Sequence, residues 1–310
     1  MRPHQKNLEK NISVKGIAFL TIIVISTLLI ILIIQSSPVP APPPTTTLTP
    51  SIPTASLTPP ATKAATVIHG EDQVATPTPL WGTEVSRFTF AVCGDNRGGD
   101  EIYSKILRFV QYDDVAFLVN TGDLVNYGDA DQFQHFAELM DDFSLPFFPV
   151  AGNHDAAGGL LDEYLRYSGA PDVHYSFDYG LGHFVIIDSH HGVLQNRELE
   201  WLEANLAATD QPLKFVFLHH PPYDPDGTDH ILEGGNQQFM TLMEKFDVSH
   251  VFAGHIHAYV EGERNGVQYI ITGGGGAALY TVGHPLAFYH YIRVYIDGSE
   301  VSTEIVKIVP

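Results

Sequence analysis

From residue 81 onward, short apolar runs alternate with stretches in which apolar positions recur every three or four residues. The runs at 85–93, 115–120, 147–150, 184–188, 214–218 and 248–253 have strand length and end at turn-forming residues. Between them, 101–112, 130–142, 160–167, 196–208 and 236–246 carry the helical period. Strands that alternate with helices of about 10–15 residues predict an α/β domain. The last third differs. Residues 266–272, 288–296 and 301–306 read as strands with no helix between them, which predicts mixed rather than purely parallel sheets. No internal repeat is visible.

The first 80 residues follow another pattern. Residues 17–34 form an uncharged run of 18 with only Thr21, Ser26 and Thr27 polar. As a helix it is about 27 Å long, close to the thickness of a bilayer's hydrocarbon core. Arg2, Lys6, Lys10 and Lys15 precede it, and no base follows before Lys63. The expectation is a retained single-pass anchor over 16–35, with 1–15 in the cytoplasm and the C-terminal domain extracellular or periplasmic. The alternative is a secreted protein cleaved from a signal peptide, against which the long run and the poor site at Val39-Pro40-Ala41 both argue. Residues 36–80 hold 11 of the 21 prolines and ten threonines, so a disordered stalk is expected there, leading into a catalytic domain at 81–310.

Charge sharpens the division. The chain carries −20 at neutral pH, yet residues 1–80 have five bases against three acids. The remainder has 11 bases against 33 acids, and 14 of the 16 histidines. Such acidity argues against nucleic-acid binding, which needs cations to neutralise phosphates. The single cysteine excludes a disulfide framework, a four-cysteine zinc finger and an iron–sulfur cluster.

Candidate chemistry lies where the apolar runs stop. One run ends at Gly94-Asp95 and the next at Gly122-Asp123. A third ends at Gly152-Asn153-His154-Asp155, a fourth at His219-His220, and a fifth at Gly254-His255-Ile256-His257. In α/β sheets the carboxyl ends of strands line the ligand crevice. Five strand ends thus deliver carboxylates, an amide and imidazoles to one edge, a thiolate-free donor set suited to Mn, Fe or Zn.

These motifs, in this order, resemble those of the calcineurin-like metallophosphoesterases over residues 86–310. Tyr175–Gly180, His183-Phe184 and Thr272–Gly276 look most like the purple-acid-phosphatase branch. The resemblance implies a four-layer α/β/β/α sandwich of two mixed sheets flanked by helices, and two metal ions. It also implies that Asp123 bridges the ions, that Asp95 and His257 hold the first, and that Asn153, His219 and His255 hold the second. His154 would contact phosphate or act as general acid. A hydroxide held between the ions would be the nucleophile. One departure stands out: the usual first motif, Asp-x-His, is Asp95-Asn96-Arg97 here. Arginine does not ligate metals. Arg97 therefore either contacts substrate phosphate or forms a structural ion pair, and Asn126, Tyr127 or water would complete the first site.

The function expected from sequence is a membrane-anchored, extracytoplasmic metal-dependent phosphoesterase acting on a small phosphorylated substrate, with a phosphomonoester favoured. A phosphodiesterase or nucleotide hydrolase is the alternative. A surface binding protein on a degenerate phosphoesterase scaffold is the reading from another class.

Overall fold

The computed structural model describes residues 85–310. The expected anchor and stalk lie outside the described residues. Among the described residues, no helix is long and apolar enough to cross a membrane.

Eleven strands form two mixed sheets. The first has the order β11-β10-β1-β2-β3, built from β1 (Arg87–Cys93), β2 (Leu118–Asn120), β3 (Phe147–Pro149), β10 (His290–Asp297) and β11 (Glu300–Lys307). The second has the order β4-β5-β6-β7-β9-β8. Its strands are β4 (Tyr175–Tyr179), β5 (Gly182–Ile186), β6 (Leu213–Phe217), β7 (His250–Ala253), β8 (Tyr259–Arg264) and β9 (Val267–Thr272). In each sheet the strands carrying the motifs run parallel: β1, β2 and β3 in one, β6 and β7 in the other. The antiparallel strands the sequence predicts at the C-terminus close the first sheet, where β10 pairs with β1 and β11 with β10.

A dry aromatic layer joins the sheets. Phe90 of β1 meets Phe184 and Phe215 of the second sheet edge-on, with ring centroids 5.2 and 5.3 Å apart. Phe117 approaches Phe184 similarly at 5.1 Å. Edge-to-face packing of this kind adds about 0.5–1.5 kcal/mol per pair beyond burial itself. Helix α1 (Asp100–Tyr112) buries Ile102, Tyr103, Ile106, Leu107 and Val110, one stripe at helical spacing, in this core. Helices α2 (Ala130–Met140) and α3 (Asp162–Tyr167) add Phe133, Phe136 and Tyr164. Helices α4 (Asn196–Ala207) and α5 (Asn236–Lys245) supply Leu199, Leu202, Leu206, Phe239, Met240 and Met243 to a second core against the other sheet. Cys93 is fully buried on β1, and burial pushes its thiol pKa up, so it is a packing residue rather than a nucleophile.

Two buried histidines outside the candidate ligand set make the fold acid-sensitive. Burial lowers His250 on β7 and His290 on β10 to about 4 each. The folded state thus holds them neutral while the unfolded chain, with ordinary imidazoles near 6.5, takes up protons. Stability is full above pH 6.5 and falls as pH drops toward 4, each group contributing up to about 3 kcal/mol across that window. Urea unfolding midpoints should therefore fall between pH 6.5 and 4.5, and His290→Gln should flatten the fall. A midpoint constant over that range would contradict this account.

Candidate metal centre

The five strand ends reach one crevice. Asp95 follows β1, Asp123 follows β2, Asn153 follows β3, His219 follows β6 and His255 follows β7. Asp95, Asp123 and His255 adopt left-handed backbone, with φ of 59°, 57° and 68°. Each of these is a strained turn that points its side chain back over the strand ends. Gly152 is required by contact: a Cβ there would lie 2.3 Å from both the amide nitrogen and Oδ1 of Asp123. The Gly273–Gly276 run lies against the Asp95 loop, where a Cβ on Gly275 would lie 2.3 Å from the carbonyl of Gly94. It is a close backbone approach beside the site, as its sequence suggests.

All six sequence-predicted ligands meet here. Ligand atoms of Asp95, Asp123 and His219 lie within 4.8 Å of one another. His257 Nε2 is 3.5 Å from Asp95 Oδ1, and His219 Nε2 is 3.4 Å from Asp123 Oδ1. Asn153 Oδ1 stands 3.0 Å from His219 Nε2 and 3.1 Å from His255 Nδ1. Asp95 accepts the amide of His255 at 3.0 Å. Burial raises the Asp95 pKa to about 6, with His257 opposing the shift.

The donor set fits a metal ion on its own chemistry. His219 faces two acceptors, the Thr121 carbonyl at 2.9 Å from Nδ1 and Asn153 Oδ1 at 3.0 Å from Nε2. A neutral imidazole has one N–H and can satisfy only one of them. Charging the ring is disfavoured, because burial drives its pKa well below the usual value. A cation in the crevice resolves the conflict, with Nδ1–H donating to Thr121 and the Nε2 lone pair facing inward. His257 repeats the pattern: Nδ1 donates to the Ala278 carbonyl at 2.7 Å and Nε2 is left for the site.

Asp155 has a part that sequence reasoning missed. It is fully buried, and its carboxylate accepts four backbone amides, from Gly152, Asp123, Leu124 and Val125, at 2.8–3.1 Å. It ties the Asp123 loop to the Asn153 loop. Its place in the Asn153-His154-Asp155 motif was the only signal, and nothing in that motif discloses a structural role.

The other candidates separate. Nε of Arg97 donates to Asp123 Oδ2 at 3.0 Å, so the guanidinium sits on the carboxylate expected to bridge, with its side chain 20% exposed. His154 donates its amide to Asp123 Oδ1 at 3.0 Å, and its Nδ1 bonds the Asn126 carbonyl at 2.8 Å. That leaves its Nε2 with no hydrogen-bond partner among the described residues. Of the two residues offering an oxygen beside the first site, Asn126 holds His154 through its backbone carbonyl, and Tyr127 is 70% exposed. His183 is structural, fixed between Asp178 and Asn205. His190 is held by Asp188 and stacks on His191, while His230 approaches His255 with ring centroids 6.3 Å apart.

The calcineurin-like phosphoesterase family pattern matches residues 88–259, which contain every one of these ligands. The chain belongs to that family. As a calcineurin-like phosphoesterase it is a hydrolase of phosphoric ester bonds, and the family fold implies metal ions at the crevice. Among curated relatives, a 3′,5′-cyclic adenosine monophosphate phosphodiesterase of Escherichia coli is 29% identical over 184 residues, 56% of this chain and 66% of the relative. A glycerophosphodiester phosphodiesterase of Enterobacter lignolyticus is 30% identical over 178 residues, 52% of this chain and 62% of the relative. The phosphoesterase thus matches somewhat less than two thirds of the length of each. Among solved structures, the purple acid phosphatase of yellow lupin superposes with a TM-score of 0.62 at 18% identity, covering 75% of this chain and 53% of the other. That likeness is one of fold.

Proposed function

We propose that this phosphoesterase hydrolyses phosphodiesters, with Asp95, Asp123 and His257 holding one metal ion and Asp123, Asn153, His219 and His255 the other. The observation that carries the metal assignment is His219, a buried neutral ring held between two acceptors. The diester preference draws its support from the curated relatives, both of which are named for diester substrates. The sequence alone favoured a monoester, although its motifs do not distinguish the two.

When bound, the ions supply a hydroxide near neutral pH and neutralise phosphate oxygens. The chain's own residues do the rest. Asp123 places a buried carboxylate between the two ligand sets. Arg97, anchored through Nε, keeps its two remaining NH₂ groups for a phosphate oxygen. His154, oriented by the Asn126 carbonyl, presents Nε2 as the group that protonates the departing alkoxide.

The test is turnover of the full chain, with and without a chelator, on a diester and a monoester sharing one leaving group. Metal-dependent cleavage that favours the diester is expected. His154→Ala should then lose about 10²–10⁴-fold in rate on a poor leaving group and less on a good one. A monoester preference would refute the substrate assignment. Activity indifferent to chelator would refute the metal assignment. The non-catalytic alternative predicts no turnover with either substrate.

We further propose a retained membrane anchor at residues 17–34 with the catalytic domain outside the cytoplasm, on the strength of the apolar run and the preceding bases. Protease added to intact cells should release an active soluble fragment. Full-length protein in the soluble cytosolic fraction would rule this topology out.

A further inference from the structure

We propose that His220 is a third imidazole ligand at the second metal position, beside His219 and His255, and that this position therefore selects a nitrogen-seeking ion such as Zn²⁺ or Co²⁺. The inference rests on the metal assignment above and adds a residue that the motif pattern does not contain.

Geometry carries it. One ring nitrogen from each of His219, His220 and His255 lies within 4.8 Å of the other two. The ring centroids stand 5.1 Å apart for His219 and His220, 5.2 Å for His219 and His255, and 4.1 Å for His220 and His255. Imidazoles sharing one ion at a metal–nitrogen distance of about 2.1 Å have centroids about 4.6–5.6 Å apart. His219 already stands at such a distance from the other two rings, and a small swing of His220 away from His255 completes the set.

The hydrogen bonds of His220 point the same way. It is only 8% exposed, and its Nδ1 is buried with no hydrogen-bond partner among the described residues. A buried polar nitrogen left in that state costs about 1–3 kcal/mol. Its Nε2 edge lies toward Gly192, 3.7 Å from where a side chain there would begin, so Nδ1 is the nitrogen left for the crevice. The backbone is fixed for this purpose: Ser189 Oγ accepts the amides of both His219 and His220, at 3.0 and 2.9 Å. One hydroxyl thus sets the direction of two successive rings.

The consequence is an unequal pair of sites. The first is built from two carboxylates and one imidazole, with the Arg97 guanidinium as a competing positive charge. The second has three imidazoles, an amide oxygen and the shared carboxylate. Imidazole favours Zn²⁺ and its neighbours over Mn²⁺ or Mg²⁺.

The experiment loads the full chain with one equivalent of Zn²⁺ and counts imidazoles at the ion by X-ray absorption. Three are expected; two or one would overturn the proposal without any variant being made. In parallel, Zn²⁺ affinity is measured by competition with a chromophoric chelator. His220→Gln should weaken the tighter ion by about 10–100-fold, the usual range for losing a supporting metal contact. The Co²⁺ visible spectrum of that variant should also change. Unchanged affinity and an unchanged Co²⁺ spectrum would overturn the proposal even if turnover fell, since His220 would then only position substrate. Failure of the wild-type chain to bind Zn²⁺ at all would instead bring down the underlying metal assignment.

Discussion

Asp123→Asn is expected to lower turnover by about 10³-fold or more, at or above the ~10²–10³-fold typical of deleting one preorganised electrostatic group. The two oxygens of Asp123 are both engaged. Oδ1 accepts the His154 amide at 3.0 Å, and Oδ2 accepts Arg97 Nε at 3.0 Å. A carboxamide offers one acceptor and turns a donor toward whichever partner it abandons. It also removes the only negative charge both ligand sets share. Metal content should fall from two ions per chain, and the Arg97 guanidinium should lose its anchor. Elemental analysis and single-turnover kinetics on the variant check both. Retention of two ions with turnover near that of the wild type would show that Asp123 does not bridge.

The largest effect on stability should come from Asp155→Ala. Four buried amides lose their acceptor at once, and a single water in the space left has only two lone pairs to offer them. An unsatisfied buried donor costs about 1–3 kcal/mol, and the four share one cavity, so their losses do not add fully. A decrease of roughly 3–5 kcal/mol is expected, the scale of breaking a buried charged network. Thermal and urea unfolding would measure it. The Asp123 and Asn153 loops should also loosen, with metal affinity falling although no ligand has been touched. An unchanged melting temperature would mean that the loops hold their shape without the carboxylate.

The parts of this molecule that could be read from the sequence are those fixed by local pattern. The inner strands β6 and β7, and the last four residues of β1, are nearly unbroken apolar runs because both of their faces are covered, and the three strands were predicted to within two residues at each end. The two strands missed, β4 and β8, are the two edges of the second sheet. In β8, Glu261, Glu263 and Arg264 face solvent wholly or in part, so charge hides its strand period. The clustering of the candidate ligands was legible because each stands at or just past the end of an apolar run. Asp155 was not, because its task is to accept amides 30 residues earlier in the chain, a contact that only the parallel pairing of β2 and β3 creates. The Arg97–Asp123 ion pair was only half legible: a structural ion pair was one of the two readings of Arg97, but its partner was not named. Sequence identified the cation and the carboxylate separately and could not say that they meet.

The left-handed backbone at Asp95, Asp123 and His255 has a consequence for the life of the protein. Each such residue costs of order 1–3 kcal/mol, and two of the three also bury a carboxylate almost completely. The polypeptide by itself therefore works against its own folding at the very place where it is to act. Ions that bind only the folded form repay this by mass action, by about 2.7 kcal/mol when their free concentration is a hundred times the dissociation constant. The abundance of intact enzyme would then follow the supply of the ions it binds. Chains made during scarcity would open more often and be cleared by proteases, so this hydrolase would persist mainly when those ions are present.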